Sequence, residues 1–255
     1  MTDLDRSISE SLPDPIGSTI DGGRADSPTA ATSGPHHPGR ETLDRELRAI
    51  KDDVLRMGSL VAEAIHGATS ALITHDVEAA TAVIHGDRAI NELQRQISSQ
   101  ITTAIATQSP VARDLRFLLA LDHVAYELER MGDHAASVAK QARKLAGLPP
   151  LKRYVDLPEI GAIAARLVRG ILRALVELDE AAARSVAAED DEIDDRYHRV
   201  FSEVLDLMRA DPANVDRGVR ILFAAHYLER VGDRVTNIAE SVVYLTTGEI
   251  EDLNP

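Results

Sequence analysis

From Thr42 onward, apolar side chains recur every three or four positions. Leu43, Leu47, Ile50, Val54, Leu55, Met57, Val61, Ile65, Ala68 and Leu72 trace one stripe, and that spacing predicts an amphipathic helix ending near Thr74. His75 and Asp76 interrupt it, with Asp76 placed to cap the next element. A second helix is predicted from about Val77 to Thr107 through Ala80, Val83, Ile84, Ile90, Leu93, Ile97 and Ile101. Ser109-Pro110 reads as a cap followed by proline at the first helical position. The third helix then runs through Leu115, Leu118, Leu121, Leu128, Met131, Val138 and Leu145, and stops at Gly147 before Pro149-Pro150.

The second half repeats this plan. Asp156-Leu-Pro-Glu159 has the form of a capping box and opens a fourth helix through Ile160, Ile163, Leu167, Ile171, Leu175 and Leu178. A fifth is predicted from about Glu180 to Ala210 through Ile193, Tyr197, Phe201, Leu205 and Met208. Asp211-Pro212 then starts a sixth, which carries Val219, Leu222, Leu228, Val231, Ile238, Val242 and Leu245 and ends at Gly248. Helices of about 30 residues are about 45 Å long, which suits up-down bundles with near-parallel packing. The expected fold is therefore all-α: two pseudo-symmetric up-down three-helix bundles, six long helices in all, arising from an internal repeat. The bundles span residues 41–148 and 156–248.

Residues 1–40 lack the pattern. They contain Pro13, Pro15, Pro28, Pro35 and Pro38 among Gly, Ser, Thr and Asp, and are expected to form a disordered N-terminal tail.

Composition narrows the chemistry. Aromatic residues make up only 3% and Trp is absent, so the core must be aliphatic. The net charge of -14 argues against a nucleic-acid partner, which would need a basic face. With no cysteine, disulfides, thiolate nucleophiles and Cys-type zinc sites are excluded. No apolar run approaches the 18 or so residues needed to span a bilayer, and no signal segment opens the chain, so a cytoplasmic location is expected.

One motif stands out. Glu127-Leu-Glu-Arg-Met-Gly-Asp133 returns as Tyr227-Leu-Glu-Arg-Val-Gly-Asp233. Positions i and i+4 share a helix face, so Glu129 and Asp133 project together, as do Glu229 and Asp233. Like charges at that spacing repel, and an interior glycine costs about 0.5 to 1 kcal/mol relative to alanine. A cation would offset both costs. Aligning Ile90 with Ile193 brings a further pair into register on the preceding helix: Asp87 with Asn91 in the first unit, Asp190 with Asp194 in the second. Two cages are expected, one of Asp87, Asn91, Glu129 and Asp133 and one of Asp190, Asp194, Glu229 and Asp233. Oxygen donors of this kind suit Mg, Mn or Fe. Asn237 and Glu240 extend the second stripe where Ser137 and Lys140 stand in the first, so the second cage is expected to bind more strongly.

Alternatives remain open. Each Glu-x-x-x-Asp can instead be a solvated face paired with Arg130 or Arg230, and His226 can be a ligand, a supporting donor or a packed side chain. Glu63-Ala-Ile-His66 and Asp195-Arg-Tyr-His198 approximate a di-iron Glu-x-x-His motif, but they fall on non-equivalent helices and are treated as chance. No nucleotide loop or nucleophile motif is found.

The strings Gln108-Ser-Pro-Val-Ala-Arg-Asp-Leu-Arg116, Glu127 to Asp133, and Tyr227-Leu-Glu-Arg-Val-Gly-Asp-Arg-Val-Thr-Asn-Ile-Ala-Glu240 closely resemble the PhoU family of phosphate-signalling regulators. The likeness runs from about residue 42 to 247. It implies two three-helix bundles carrying multinuclear metal clusters, with Fe the first choice and Mn, Mg or Zn the others, on Glu229, Asp233, Asp190, Asp194, Glu129, Asp133, Asp87 and Asn237. It implies a non-enzymatic negative regulator; a homodimer is expected from the elongated bundle shape alone. Such a protein couples the ATPase subunit of the Pst phosphate ABC transporter to a sensor histidine kinase and meets the membrane only through these partners. The chain departs from the family at Ser137, Lys140, Asn91, Arg234 and Asp122, changes that bear on the first cage and not on the fold. The competing class is a carboxylate-bridged metal-dependent oxidase or hydrolase, which needs an open coordination position in a pocket.

Overall fold

Asp76 accepts a hydrogen bond from the Ala79 N–H at 2.8 Å and closes the gap between the first two helices, as its position predicts. In the computed structural model, whose described residues are 38–253, the first unit is α1 (Pro38–Thr74), α2 (Val77–Gln108) and α3 (Ala112–Leu145). The second is α4 (Asp156–Glu177), α5 (Glu180–Ala188), α6 (Asp190–Ala210), a 3-10 turn (Pro212–Asn214) and α7 (Val215–Thr247). The tail expected over residues 1–40 lies outside the described residues, except for its last three, which form the first turn of α1. No strand is present among the described residues.

Three local expectations are corrected. Ser109 does not cap α3. It is the left-handed end of α2 (φ 46°, ψ 55°), because Pro110 bars it from right-handed helical backbone, and α3 starts behind Val111 without a side-chain cap. Asp156 and Glu159 form no capping box. Both carboxylates turn sideways to α6, where Arg199 donates to Asp156 at 3.0 Å and Arg196 pairs with Glu159. The single fifth helix is interrupted at Glu189, giving α5 and α6, and Asp190, Asp191 and Glu192 occupy the first turn of α6 where the helix dipole favours acids.

The repeat determines how the halves meet. α1 lies against its counterpart α4, and α3 against its counterpart α7, so equivalent helices face one another across one aliphatic core. The α1–α4 crossing is tight: a Cβ added at Gly161 would overlap Thr69, a buried side chain whose hydroxyl is held by the Ile65 carbonyl at 2.8 Å. Leu128, Met131, Leu228 and Val231, the apolar members of the doubled motif, are fully buried. Each contributes about 1.5–3 kcal/mol by leaving water, and together they fix which face of α3 and α7 carries the carboxylates. None of the described helices is long and apolar enough to cross a membrane.

Candidate functional site

Gly232 is the pivot of the second cage. A Cβ there would fall inside the Asp190 carboxylate, so only glycine lets α6 bring Asp190 against α7 between Glu229 and Asp233. Asp190 is 4% exposed, and neither of its oxygens has a hydrogen-bond partner. Burial, then the charges of Asp194, Asp233 and Glu229, push its pKa up to about 7. Glu229 is raised to about 7 by burial and by Asp233 and Asp194, against a smaller opposing pull from Arg230. Its Oε2 lies 3.2 Å from His226 Nδ1 without forming a hydrogen bond, and so is also orphaned. Asp194 is raised by burial and by Asp233. The structure thus brings Asp190, Asp194, Glu229 and Asp233 into one mutually repelling group.

The first cage is a looser copy. A Cβ at Gly132 would meet Ile90 Cδ1 at 3.0 Å and Asp87 Oδ1 at 3.3 Å, so Asp87 stands where Asp190 does, but less tightly. Burial and then Asp133 raise the Asp87 pKa, while a hydrogen bond from Asn91 and the charge of Lys140 oppose the rise. Asn91 Nδ2 donates to Asp87 Oδ2 at 2.9 Å, leaving Asp87 Oδ1 and Asn91 Oδ1 buried and unpartnered. Glu129 is raised by burial, by Asp133 and, more weakly, by Asp87, with Arg130 opposing. Lys140 therefore partly neutralises this cage, as its place in the repeat suggests.

Arginine pairing, the competing reading, is present but incomplete. Arg230 reaches Asp233 at 3.0 Å; Arg130 is 3.7 Å from Glu129 and 3.8 Å from Asp133 and spends its hydrogen bonds on the Tyr126 hydroxyl. No arginine reaches Asp190, Asp87 or Asp194 among the described residues. Buried carboxylate oxygens without donors are rare and call for a counter-ion. The donor set fits a hard or borderline cation. Among the described residues, however, no three Asp, Glu or His side chains form a preassembled ligand shell. The carboxylates are neighbours that a cation would have to draw together. Asp190, Asp194, Glu229 and Asp233 would hold it in the second cage, and Asp87, Asn91, Glu129 and Asp133 in the first, where it would supply neutralising positive charge.

Asn237 is placed differently from its cage-mates. Its Nδ2 donates to Glu127 Oε2 at 3.3 Å, across the α3–α7 interface, while Glu240 accepts from the Leu253 N–H at 3.1 Å. Asp233, Asn237 and Glu240 nevertheless line one cavity of about 260 Å³ with Arg230 and Arg234. Three features go beyond the sequence reading. Glu127 is buried and anchors the two units; its signal was a charged residue on the apolar stripe of Val124, Leu128 and Met131. His134 stacks on Tyr227 at 6.0 Å and is lowered to about 4 by burial and by Arg234 and Arg230. His198 Nδ1 donates to the Asp194 carbonyl at 2.8 Å and sits beside the second cage; its signal was the i,i+4 spacing from Asp194 on one helix.

Comparison with known proteins adds the context. A family model described as the PhoU domain matches residues 54–142 and 157–242, one copy on each unit. A phosphate-specific transport system accessory protein PhoU homolog from Clostridium acetobutylicum is 35% identical over 84% of this chain and 99% of its own length. The homolog from Aquifex aeolicus is 37% identical over 82% and 94%. The crystal structure of PhoU from Pseudomonas aeruginosa superposes with a TM-score of 0.78 at 34% identity, covering 81% of this chain and 99% of that one. The crystal structure of the phosphate transport system regulatory protein PhoU from Streptococcus pneumoniae gives 0.75 at 32% identity over 82% and 99%.

Proposed function

Because the chain belongs to the PhoU family, we propose that it is a non-enzymatic, metal-binding regulator of phosphate uptake and of the phosphate-starvation response. It acts as a cytoplasmic adaptor between the Pst phosphate ABC transporter, through the ATPase subunit, and a sensor histidine kinase. When phosphate is plentiful it keeps the response off. The observation that carries this reading is the match of both units to the family, over residues 54–142 and 157–242, with relatives named as accessory or regulatory proteins of phosphate transport. The orphaned carboxylates support a resident multinuclear cluster, Fe first and Mn, Mg or Zn next, whose charge would stabilise the α6–α7 and α2–α3 contacts. Exposed aromatics on the flanks, Tyr126, Phe201 and Phe223, give such a bundle apolar contact points for a partner or a second copy in a homodimer.

Deletion in the native host tests this. Starvation-gene expression that rises in high phosphate is the expected result, and unchanged expression rules the regulator out. The raised Asp190 and Glu229 are also what a carboxylate-bridged metal enzyme would use. Turnover of an oxidisable or hydrolysable substrate by the metal-loaded protein, abolished in Glu229→Gln, would favour that second reading.

A further inference from the structure

A cavity of about 340 Å³ lies where α1, the start of α3 and the ends of α4 and α7 meet. Its charge is opposite to that of the molecule. Arg40, Lys51, Arg113 and Arg116 line it with one carboxylate, Asp114, in a chain whose net charge is -14. Arg40 is already committed, because it bonds Asp114 and pairs with Asp44 at 3.1 Å. Lys51 holds its ammonium 5.7 Å above the Phe117 ring. Neither Arg113 nor Arg116 has a hydrogen bond or ion pair among the described residues. Arg113, Arg116 and Lys51, none of them ion-paired, thus share a concavity that also has an apolar wall of Phe117, Val176 and Leu178.

We propose that this cavity binds a small organic phosphate, with its phosphoryl group on Arg113 and Arg116 and its body on Phe117 and Val176. Guanidinium forks match carboxylate and phosphate alike, and charge decides between them. A monocarboxylate would leave two of the three cations uncompensated, while a phosphate dianion leaves one. The volume is of the size that takes a compact organic ligand rather than a bare ion. The inference stands independently of the regulatory reading.

Calorimetric titration of the full chain with adenosine monophosphate, inorganic phosphate and adenosine tests it. Saturable binding of the monophosphate is expected, with a Kd below about 1 mM, weakened at least tenfold in Arg113→Ala/Arg116→Ala. Arg113→Lys keeps the charge but loses the fork, and is expected to weaken it several-fold. Arg220→Ala, whose partner is Asp216, should leave binding unchanged. Circular dichroism and the melting temperature confirm that each variant is folded; both arginines are exposed, so folding should persist. No saturable binding, equal binding by the double variant, or inorganic phosphate binding as tightly as the monophosphate would each overturn the proposal.

Discussion

Arg234 of α7 reaches across to Glu127 of α3, Nη1 to Oε2, at 3.4 Å. The repeat places His134 where Arg234 stands and Tyr227 where Glu127 stands, and those two side chains also meet, stacked at 6.0 Å. One pseudo-symmetric contact between the units is thus filled twice, once by charge and once by rings. Glu127 also accepts from Asn237 at 3.3 Å and has His123 at 3.8 Å, so a buried carboxylate collects three groups. Removing it strands a largely enclosed guanidinium. Glu127→Ala is expected to cost about 2 kcal/mol, below the full loss for a wholly buried pair because Arg234 keeps some solvent. Urea denaturation measures it, and a change below about 0.5 kcal/mol, the level of a surface substitution, would speak against the anchor.

The two motif glycines should respond differently to the same change. Gly→Ala inside a helix gains up to about 1 kcal/mol from propensity. At Gly232 that gain meets a rigidly buried carboxylate group, and overpacking of about 1–3 kcal/mol outweighs it. At Gly132 the nearest atoms are Ile90 Cδ1 at 3.0 Å and Cγ2 at 3.2 Å, which need give by only a few tenths of an ångström. Gly232→Ala should therefore lower the melting temperature, with Gly132→Ala close to neutral. Equal effects would mean that Asp190 is not wedged as described.

Metal-free protein should lose stability as the pH rises from about 4 to about 7. Asp190 and Glu229 start from 3.8 and 4.5 and are raised to about 7 in the folded state, so the folded protein holds more protons than the unfolded one across that window. The penalty is absent below the unfolded values and complete above the folded ones. Thermal melts of chelator-treated protein at pH 5 and pH 8 check the sign, and Asp190→Asn should flatten the profile. Greater stability at pH 8 in the wild type would contradict the burial of these groups.

Much of this was legible in the sequence because it is periodic. The apolar stripes locate every long helix, and the doubled Leu-Glu-Arg-x-Gly-Asp with its partner acids at a fixed offset points to the four carboxylates that the second unit assembles. Local capping was less legible. Asp156 and Glu159 match a cap pattern, yet cross-helix arginines outcompete the backbone for them, and nothing in a single helix shows that. The break at Glu189 was concealed because Ala183, Ala187, Asp190 and Ile193 keep the spacing of one continuous helix face, although the run Asp190-Asp191-Glu192 is what a helix start looks like. Asn237 shows the same limit: it shares the Glu229 face, but an interface partner from the other unit claims its amide.

The two cages should differ in affinity. The second offers four coupled carboxylates; the first substitutes the neutral Asn91 and has Lys140 opposing its charge. Divalent cation added to metal-free protein should add about 2.7 kcal/mol of stability at a hundredfold excess over Kd and so raise the melting temperature. Most of that rise should disappear in Asp190→Asn and little of it in Asp87→Asn. The reverse ranking would put the stronger site in the first unit.

Elemental analysis of the full chain, purified without chelator beside Asp190→Asn/Glu229→Gln, tests the metal account most directly. The account predicts transition metal, with Fe foremost, at a stoichiometry of one or more per chain in the wild type and a loss of most of it in the double variant. A wild type free of metal, or a double variant that retains all of it, would contradict the assignment of these carboxylates as a metal cage.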